Sequence, residues 1–285
     1  MFLRHLQGKR ALTRAMSVSR QGGNHLEKTA HEARQKQKAS EAEVVEVNDM
    51  SPTVKRILLN IDDPAFNFKA GQWVDFFIPG VEIFTGFSMS SSPDHLQSGY
   101  LELAVQLSDY PPTLWVHEEC KVGSKVSLRV GGTQMVYDPQ PNDPSYNILL
   151  IAGGIGINPL LSILRHAEST HRAHKPWFTG RSFRLLYSAS TQKELIFHDK
   201  ILAIVNTFPL RFQSQFFVTQ EDVPIDGVYA KGRIQESDLA RVVNEFGADK
   251  LKCYICGPPP MIEDMEAKLL KLKLNPDNLH YEKWW

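Results

Sequence analysis

The sequence predicts two domains, an antiparallel β-barrel followed by a doubly wound α/β domain, and three observations carry that expectation. Between residues 42 and 137 apolar and polar residues alternate in short runs, the period of strands with one wet face. Asp138-Pro139-Gln140-Pro141-Asn142-Asp143-Pro144 then breaks the pattern with three prolines in seven residues. Beyond it apolar strands alternate with amphipathic helices, as in a parallel sheet covered on both faces. The expected division is a basic head and linker over 1–41, the barrel over 42–137, a linker over 138–145 and the α/β domain over 146–285.

The head stands apart by charge. The 285 residues hold 32 Lys plus Arg and 32 Asp plus Glu, but nine of the bases and two of the acids fall in residues 1–40, so that segment carries +7 and the rest −7. No acid precedes Glu27, and Phe2, Leu3 and Leu6 share a helical face with Arg4 and Arg10 nearby. This is the pattern of a mitochondrial presequence, with a basic tail of no address and a cytoplasmic location as the alternative. Zero net charge argues against a general nucleic-acid binder. Three cysteines cannot form a disulfide framework or supply four ligands to a zinc or iron–sulfur site. The longest apolar stretch, Ile148 to Leu164, contains two adjacent glycines, Asn158 and Pro159, which argues against a membrane span.

In the barrel, Ile57, Leu59 and Ile61, then Leu101, Leu103 and Val105, then Val126, Leu128 and Val130 alternate with polar neighbours. Turn residues at Asp62-Asp63-Pro64, Pro79-Gly80, Pro93-Asp94 and Gly131-Gly132 divide about six strands. One helical turn is expected over Thr113 to Glu119. In the second domain the expected strands are Ile148–Ala152, Phe183–Ser188, Arg211–Val218 and Lys252–Cys256. The expected helices are Leu160–Ala167, Leu195–Asn206, Glu236–Phe246 and Met261–Lys273; in the last, Met261, Met265, Leu269 and Leu272 recur at helical spacing.

The strongest local signal is Gly153-Gly154-Ile155-Gly156-Ile157-Asn158-Pro159, which follows the strand Ile148–Ala152 and opens a helix. Asn158 suits the N-cap and Pro159 the first helical position. Free N–H groups and the helix dipole there favour a pyrophosphate, which glycines let approach the backbone. Pro159 stands where the usual dinucleotide fingerprint has its third glycine, so the generic match fails and a merely structural turn stays open.

Two further stretches fall in the expected order around it, Gly86-Phe87-Ser88-Met89-Ser90-Ser91 in the barrel and Cys256-Gly257-Pro258-Pro259-Pro260-Met261 near the end. With the final His280-Tyr281-Glu282-Lys283-Trp284-Trp285, the chain from about residue 42 onward resembles the ferredoxin–NADP reductase superfamily, which pairs a flavin-binding barrel with a nicotinamide-nucleotide domain. The resemblance implies that Phe87 stacks by the flavin, that Ser88 directs its hydroxyl at flavin N5, that Ser90 and Ser91 follow the ring edge, and that Thr113 bonds the flavin phosphate. It places the NAD(P) pyrophosphate on Gly153, Gly154, Ile155, Gly156, Ile157, Asn158 and Pro159. It sets Cys256, Gly257 and Pro258 against the nicotinamide, with Trp285 or Trp284 covering the ring. Ser88 and Cys256 are thus the expected catalytic positions.

The implied function is hydride transfer from NAD(P)H to bound FAD and electron transfer onward to a separate protein or small molecule. One departure matters: Thr85 stands where the family has an arginine that pairs with the flavin pyrophosphate. A neutral hydroxyl forgoes roughly 1–3 kcal/mol of charge-assisted bonding, so FAD binding, binding of the mononucleotide and no flavin at all stay open. The rival is a flavin-free relative that binds NAD(P) as a sensor or assembly partner.

No acid follows the second strand of this domain to hold an adenosine ribose. Ser190 and Lys193 there either accept a 2′-phosphate or form a solvated turn, and Thr219 and Arg233 join the same adenosine pocket. Weaker signals take bland readings. Cys253 and Cys256 point to opposite faces of a strand, His171 and His174 end a helix with no third ligand close by, and Gly86–Ser90 falls short of a nucleophile elbow.

Overall fold

The computed structural model describes residues 34, 39–178, 180–224 and 226–283. The presequence expected within residues 1–40 falls almost wholly outside them, as do Trp284 and Trp285.

Six antiparallel strands form the first sheet: β1 (Ser40–Ser51), β2 (Val54–Asn60), β3 (Trp73–Phe77), β4 (Thr85–Ser88), β5 (Tyr100–Gln106) and β6 (Lys125–Gly131). Their order is β4-β3-β6-β1-β2-β5. The two edges meet at a bridge between Met89 and Leu103, and the Ser90 N–H donates to the Glu102 carbonyl at 3.0 Å. That contact closes the sheet, which removes its free edges. Alternation then buries Ile57, Leu59, Val74, Phe76, Leu101, Leu103, Val126 and Leu128 in one interior. Two helices decorate the barrel, α1 (Pro93–Leu96) and α2 (Pro111–Glu118).

The second sheet is parallel, with β7 (Asn147–Gly153), β8 (Phe183–Ala189), β9 (Phe212–Val218), β10 (Tyr229–Lys231), β11 (Leu251–Gly257) and β12 (Leu279–Lys283) in the order β10-β9-β8-β7-β11-β12. Helices α3 (Ile157–Arg172) and α4 (His198–Thr207) cover one face, with Leu150, Leu161, Tyr187 and Ile201 in their core. Helices α5 (Glu236–Phe246) and α6 (Pro259–Lys271) cover the other, around Leu149, Ile151, Leu239 and Met265. The strand order runs outward from β7 in both directions. The crevice between the carboxyl ends of β7 and β11 is therefore the switch point at which such sheets bind ligands.

Two short strands, β10 and β12, are additions to the sequence expectation. The expected final tail is in part an edge strand, with β12 parallel to β11 from Leu279 beside Cys253 to Lys283 beside Gly257. Helix α4 starts at His198, later than expected, because Phe197 takes a left-handed conformation (φ 62°) that no helix interior accepts.

Helix α3 is the spline between the domains. Asn158 Nδ2 donates to the Ala104 carbonyl (2.8 Å), the Ser162 hydroxyl to the Ser91 carbonyl (2.7 Å), and Arg165 to the Ser90 carbonyl (2.8 Å) and Glu102 (2.7 Å). Glu102 is 3% exposed and also meets Arg56 from the barrel (2.5 Å) and Lys200 from α4 (3.2 Å). These three cations hold its carboxyl far below the usual carboxylate range despite its burial, which acts the other way. Ser51 and Thr53 reach across to Glu194 at 3.0 and 2.9 Å. Among the described residues no helix is long and apolar enough to cross a membrane.

Candidate functional site

The turn after β7 continues as a 3-10 turn over Gly154–Gly156 and passes directly into α3. Gly156 is held tight: a Cβ there would lie 2.2 Å from the Cys256 carbonyl oxygen, so only glycine lets the turn rest against β11. Gly154 differs, with φ +53° and no atom within 4 Å of where its Cβ would stand. The turn is therefore anchored at one glycine and open at the other. Ile157 donates its N–H back into the 3-10 turn and Pro159 has none, so it is the start of the turn at Gly154 and Ile155, not the helix proper, that suits a pyrophosphate.

The expected N-cap at Asn158 is corrected. The cap is Gly156, so Asn158 and Pro159 lie inside the first turn. The 3-10 turn consumes the residues that would have formed a loop, and Asn158 instead ties α3 to the barrel while lining the cleft. Ile157 and Pro159 are buried in the helix packing and do not line it.

Opposite this turn stand β4 and the start of α2, and the two walls enclose a cavity of about 1440 Å³. It exceeds the roughly 300–1,000 Å³ of a pocket for one drug-sized ligand, as two stacked ring systems require. Thr85, Phe87, Ser88 and Thr113 line the barrel wall; Gly153, Gly154, Ile155, Gly156, Cys256, Gly257 and Pro258 line the other. Ser190, Thr219 and Arg233 mark one end, each just past the carboxyl end of a neighbouring strand, β8, β9 and β10. Lys193, exposed on the following 3-10 turn, is not part of the lining, and Trp285 lies outside the described residues.

Ser90 and Ser91 are a second correction. Both are fully buried in the seam between the domains. The Ser90 hydroxyl donates to the Glu102 carboxylate (3.0 Å), and the Ser91 hydroxyl accepts from the Glu102 N–H (3.0 Å). The bridge at Met89 turns the chain away from the cleft once β4 ends, so the strand does not follow a ligand's edge past Ser88.

Sequence reasoning missed Trp73, Gln106, Ser108, Tyr110 and Gln134 on the barrel wall. Trp73 lies against Gly131 and Gly132, where added Cβ atoms would fall 2.3 and 2.8 Å from its indole; the Gly-Gly pair was the legible signal. Cys256 is 1% exposed, and burial pushes its thiol well above the ordinary value, as it does for Cys253. Cys253 and Cys256 sit in the two opposite cores of the sheet. The two cannot pair as a dithiol, and burial disfavours the Cys256 thiolate, so Cys256 serves the cleft as wall.

The barrel wall fits a flavin at one end and not at the other. Phe87 and Tyr110 offer half-buried aromatic surface and Ser88 a hydroxyl to a planar ring. The phosphate end is different. Helix α2 begins with Pro111 and Pro112, which have no N–H, while the Thr113 and Leu114 N–H groups both donate to the Tyr110 carbonyl at 3.0 Å. The one hydrogen of the Thr113 hydroxyl is within reach of the carbonyls of Tyr110 (2.8 Å) and Ser108 (3.0 Å), its oxygen lies 2.7 Å from the Ser108 hydroxyl, and the Tyr110 N–H donates to that Ser108 hydroxyl (3.3 Å). The hydroxyl expected at a flavin phosphate thus lines the cleft but is engaged with the backbone of its own turn.

Residues 150–267 match the family model described as the oxidoreductase NAD-binding domain. The chain is 46% identical to oxidoreductase NAD-binding domain-containing protein 1 of Xenopus tropicalis, over 97% of this chain and 88% of that protein. It is 41% identical to the Homo sapiens protein of that name, over 99% and 90%. Among solved structures, a cytochrome P450 reductase from Amycolatopsis aligns with TM-score 0.73 at 24% identity, covering 86% of this chain and 69% of the other. A ferredoxin NADP+ reductase from Neisseria gonorrhoeae with bound FAD and NADP aligns with TM-score 0.69 at 20% identity, over 88% and 100%. These likenesses show the fold, and together with the sequence relatives they mean that the chain belongs to the oxidoreductase NAD-binding domain-containing protein 1 family, built on the ferredoxin–NADP reductase fold.

Proposed function

We propose that the protein is an NAD(P)H-dependent flavin oxidoreductase: a nicotinamide nucleotide lies along the nucleotide-domain wall and delivers hydride to a flavin ring held against Phe87 and Ser88. The observation that carries this reading is the single cleft in which Gly153–Gly156 and Cys256–Gly257 face Thr85–Ser88. A bound flavin supplies a two-electron acceptor that protein side chains lack.

The chain's own part is positioning. Gly154 leaves room for the pyrophosphate, and Gly156 fixes the turn against Cys256. Pro258, Pro259 and Pro260 close the nicotinamide end without presenting N–H groups of their own. Phe87 supports the ring from the barrel, and the Ser88 hydroxyl is a donor for its reacting edge. Arg233, Ser190 and Thr219 receive the adenosine end, and the cation there favours NADPH. The seam around Glu102 keeps the walls in register, which is what direct transfer between stacked rings needs.

Electrons then leave to an acceptor, a separate protein or a small molecule. Residues 1–40 serve as a mitochondrial presequence in this proposal; a reporter carrying them that stays cytosolic removes that part alone. The enzymatic reading is tested by steady-state oxidation of NADH and NADPH by the purified full chain with FAD in excess. Turnover that falls with Gly154→Val supports it. A chain that binds either nucleotide yet never oxidises it returns the protein to a sensor or assembly role.

A further inference from the structure

Resting on that reading, we infer that the flavin is an exchangeable substrate, recognised by its ring and not retained by its phosphates. The cleft has one phosphate grip, and the nucleotide domain owns it. Its cations among the described lining residues are Arg233 and Lys283, both on the nucleotide side. No lysine or arginine lines the described barrel wall.

Barrel arginines are committed elsewhere. Arg34 lies over Trp73 but pairs with Asp75 at 2.9 Å, Arg129 pairs with the same buried carboxylate at 2.8 Å, and Arg56 is held by Glu102 and Glu46. The helix that opens onto this wall has lost its donors as well, two to proline and the rest to Tyr110 and Ser108. Thr85 offers a hydroxyl and no charge.

Among the described residues this wall offers a ligand's phosphates only neutral side-chain groups such as Thr85, Gln106 and Gln134, and an anion leaving water needs charged donors in exchange. Riboflavin, FMN and FAD share the ring and differ in phosphate, so this wall has no means to separate them strongly. The reaction balances without a resident cofactor. Hydride leaves C4 of the dihydronicotinamide and forms the N–H bond at flavin N5, a solvent proton adds at N1, and oxidised nucleotide and dihydroflavin depart. The released dihydroflavin is then itself the carrier of the two electrons.

The test uses the purified, desalted full chain, its visible spectrum and the quenching of riboflavin, FMN and FAD fluorescence on titration. We expect a colourless protein, dissociation constants for the three flavins within about threefold of one another, and no loss of affinity in high salt. Thr85→Arg should then tighten FAD relative to riboflavin by about tenfold or more, riboflavin serving as the internal reference for a folded site. FAD that copurifies in stoichiometric amount, or binds more than about tenfold tighter than riboflavin to the unaltered chain, overturns the inference and leaves the reductase reading intact. If none of the three binds while NADPH still does, the reductase reading falls, and this inference with it.

Discussion

Each wall of the cleft carries the start of a helix, and the two walls differ in what precedes it. On the nucleotide side the Ile157 N–H is spent inside the 3-10 turn and Pro159 has none, so the open stretch is the turn itself, where Gly154 leaves free space. On the barrel side helix α2 also starts at the cleft, yet its first two residues are prolines and its next donors are spent within two turns of chain. A helix N-terminus is an anion site only while its donors are free. The lesson is that fold likeness carries over the shape of the cleft, and the donor inventory decides which ligand end each wall can hold.

The seam keeps the walls in register, and the largest expected effect comes from breaking it. Glu102→Ala strands the largely buried Arg56 and Arg165 and frees the exposed Lys200, at a cost of about 3–5 kcal/mol in thermal or denaturant unfolding. The same group sets an acid dependence. Its folded pKa is depressed, so its stabilisation is complete above the ordinary glutamate value of 4.5 and is lost as pH falls below that toward the folded value. Unfolding midpoints measured down an acid series should fall in that window, and should do so less in Glu102→Gln.

Within the nucleotide wall, two glycines separate structure from binding. Gly156→Ala drives a methyl into the Cys256 carbonyl and should cost about 1–3 kcal/mol or more of stability. Gly154→Ala meets nothing, so its loss is the roughly 1–2 kcal/mol of a left-handed non-glycine, while bulkier residues there block the nucleotide and raise its KM. The two losses overlap in size, so the distinction is read in binding: a folded Gly154→Val chain with an unchanged nucleotide KM would erase it.

A smaller effect sharpens the adenosine end. Arg233→Ala should weaken NADPH by about tenfold and NADH by little, read as the ratio of kcat/KM values. An unchanged ratio places the 2′-phosphate elsewhere.

Much of this was legible in the sequence. The alternation at Ile57, Leu59, Leu101 and Leu103 marks the barrel interior, and the Gly153–Gly156 turn marks the switch point, because strand period and glycine-rich turns are local properties. What was not legible depends on where neighbouring chain segments lie. Ser90 and Ser91 continue a motif that reads as one strand, but the bridge from Met89 to Leu103 turns them into the seam. Asn158 looks like a cap until the preceding 3-10 turn moves the cap to Gly156. The prolines at 111 and 112 were visible from the start. Their effect on the barrel wall emerged only once the remaining donors could be traced to Tyr110 and Ser108.

Direct passage of hydride between rings held on the two walls is what the proposed reaction requires. It is tested most directly by anaerobic single-turnover mixing of the full chain and riboflavin with NADPH, unlabelled or deuterated at C4. The flavin band should bleach at one nucleotide per flavin, slowed severalfold by the label. A flavin that binds beside bound nucleotide and stays yellow would contradict it.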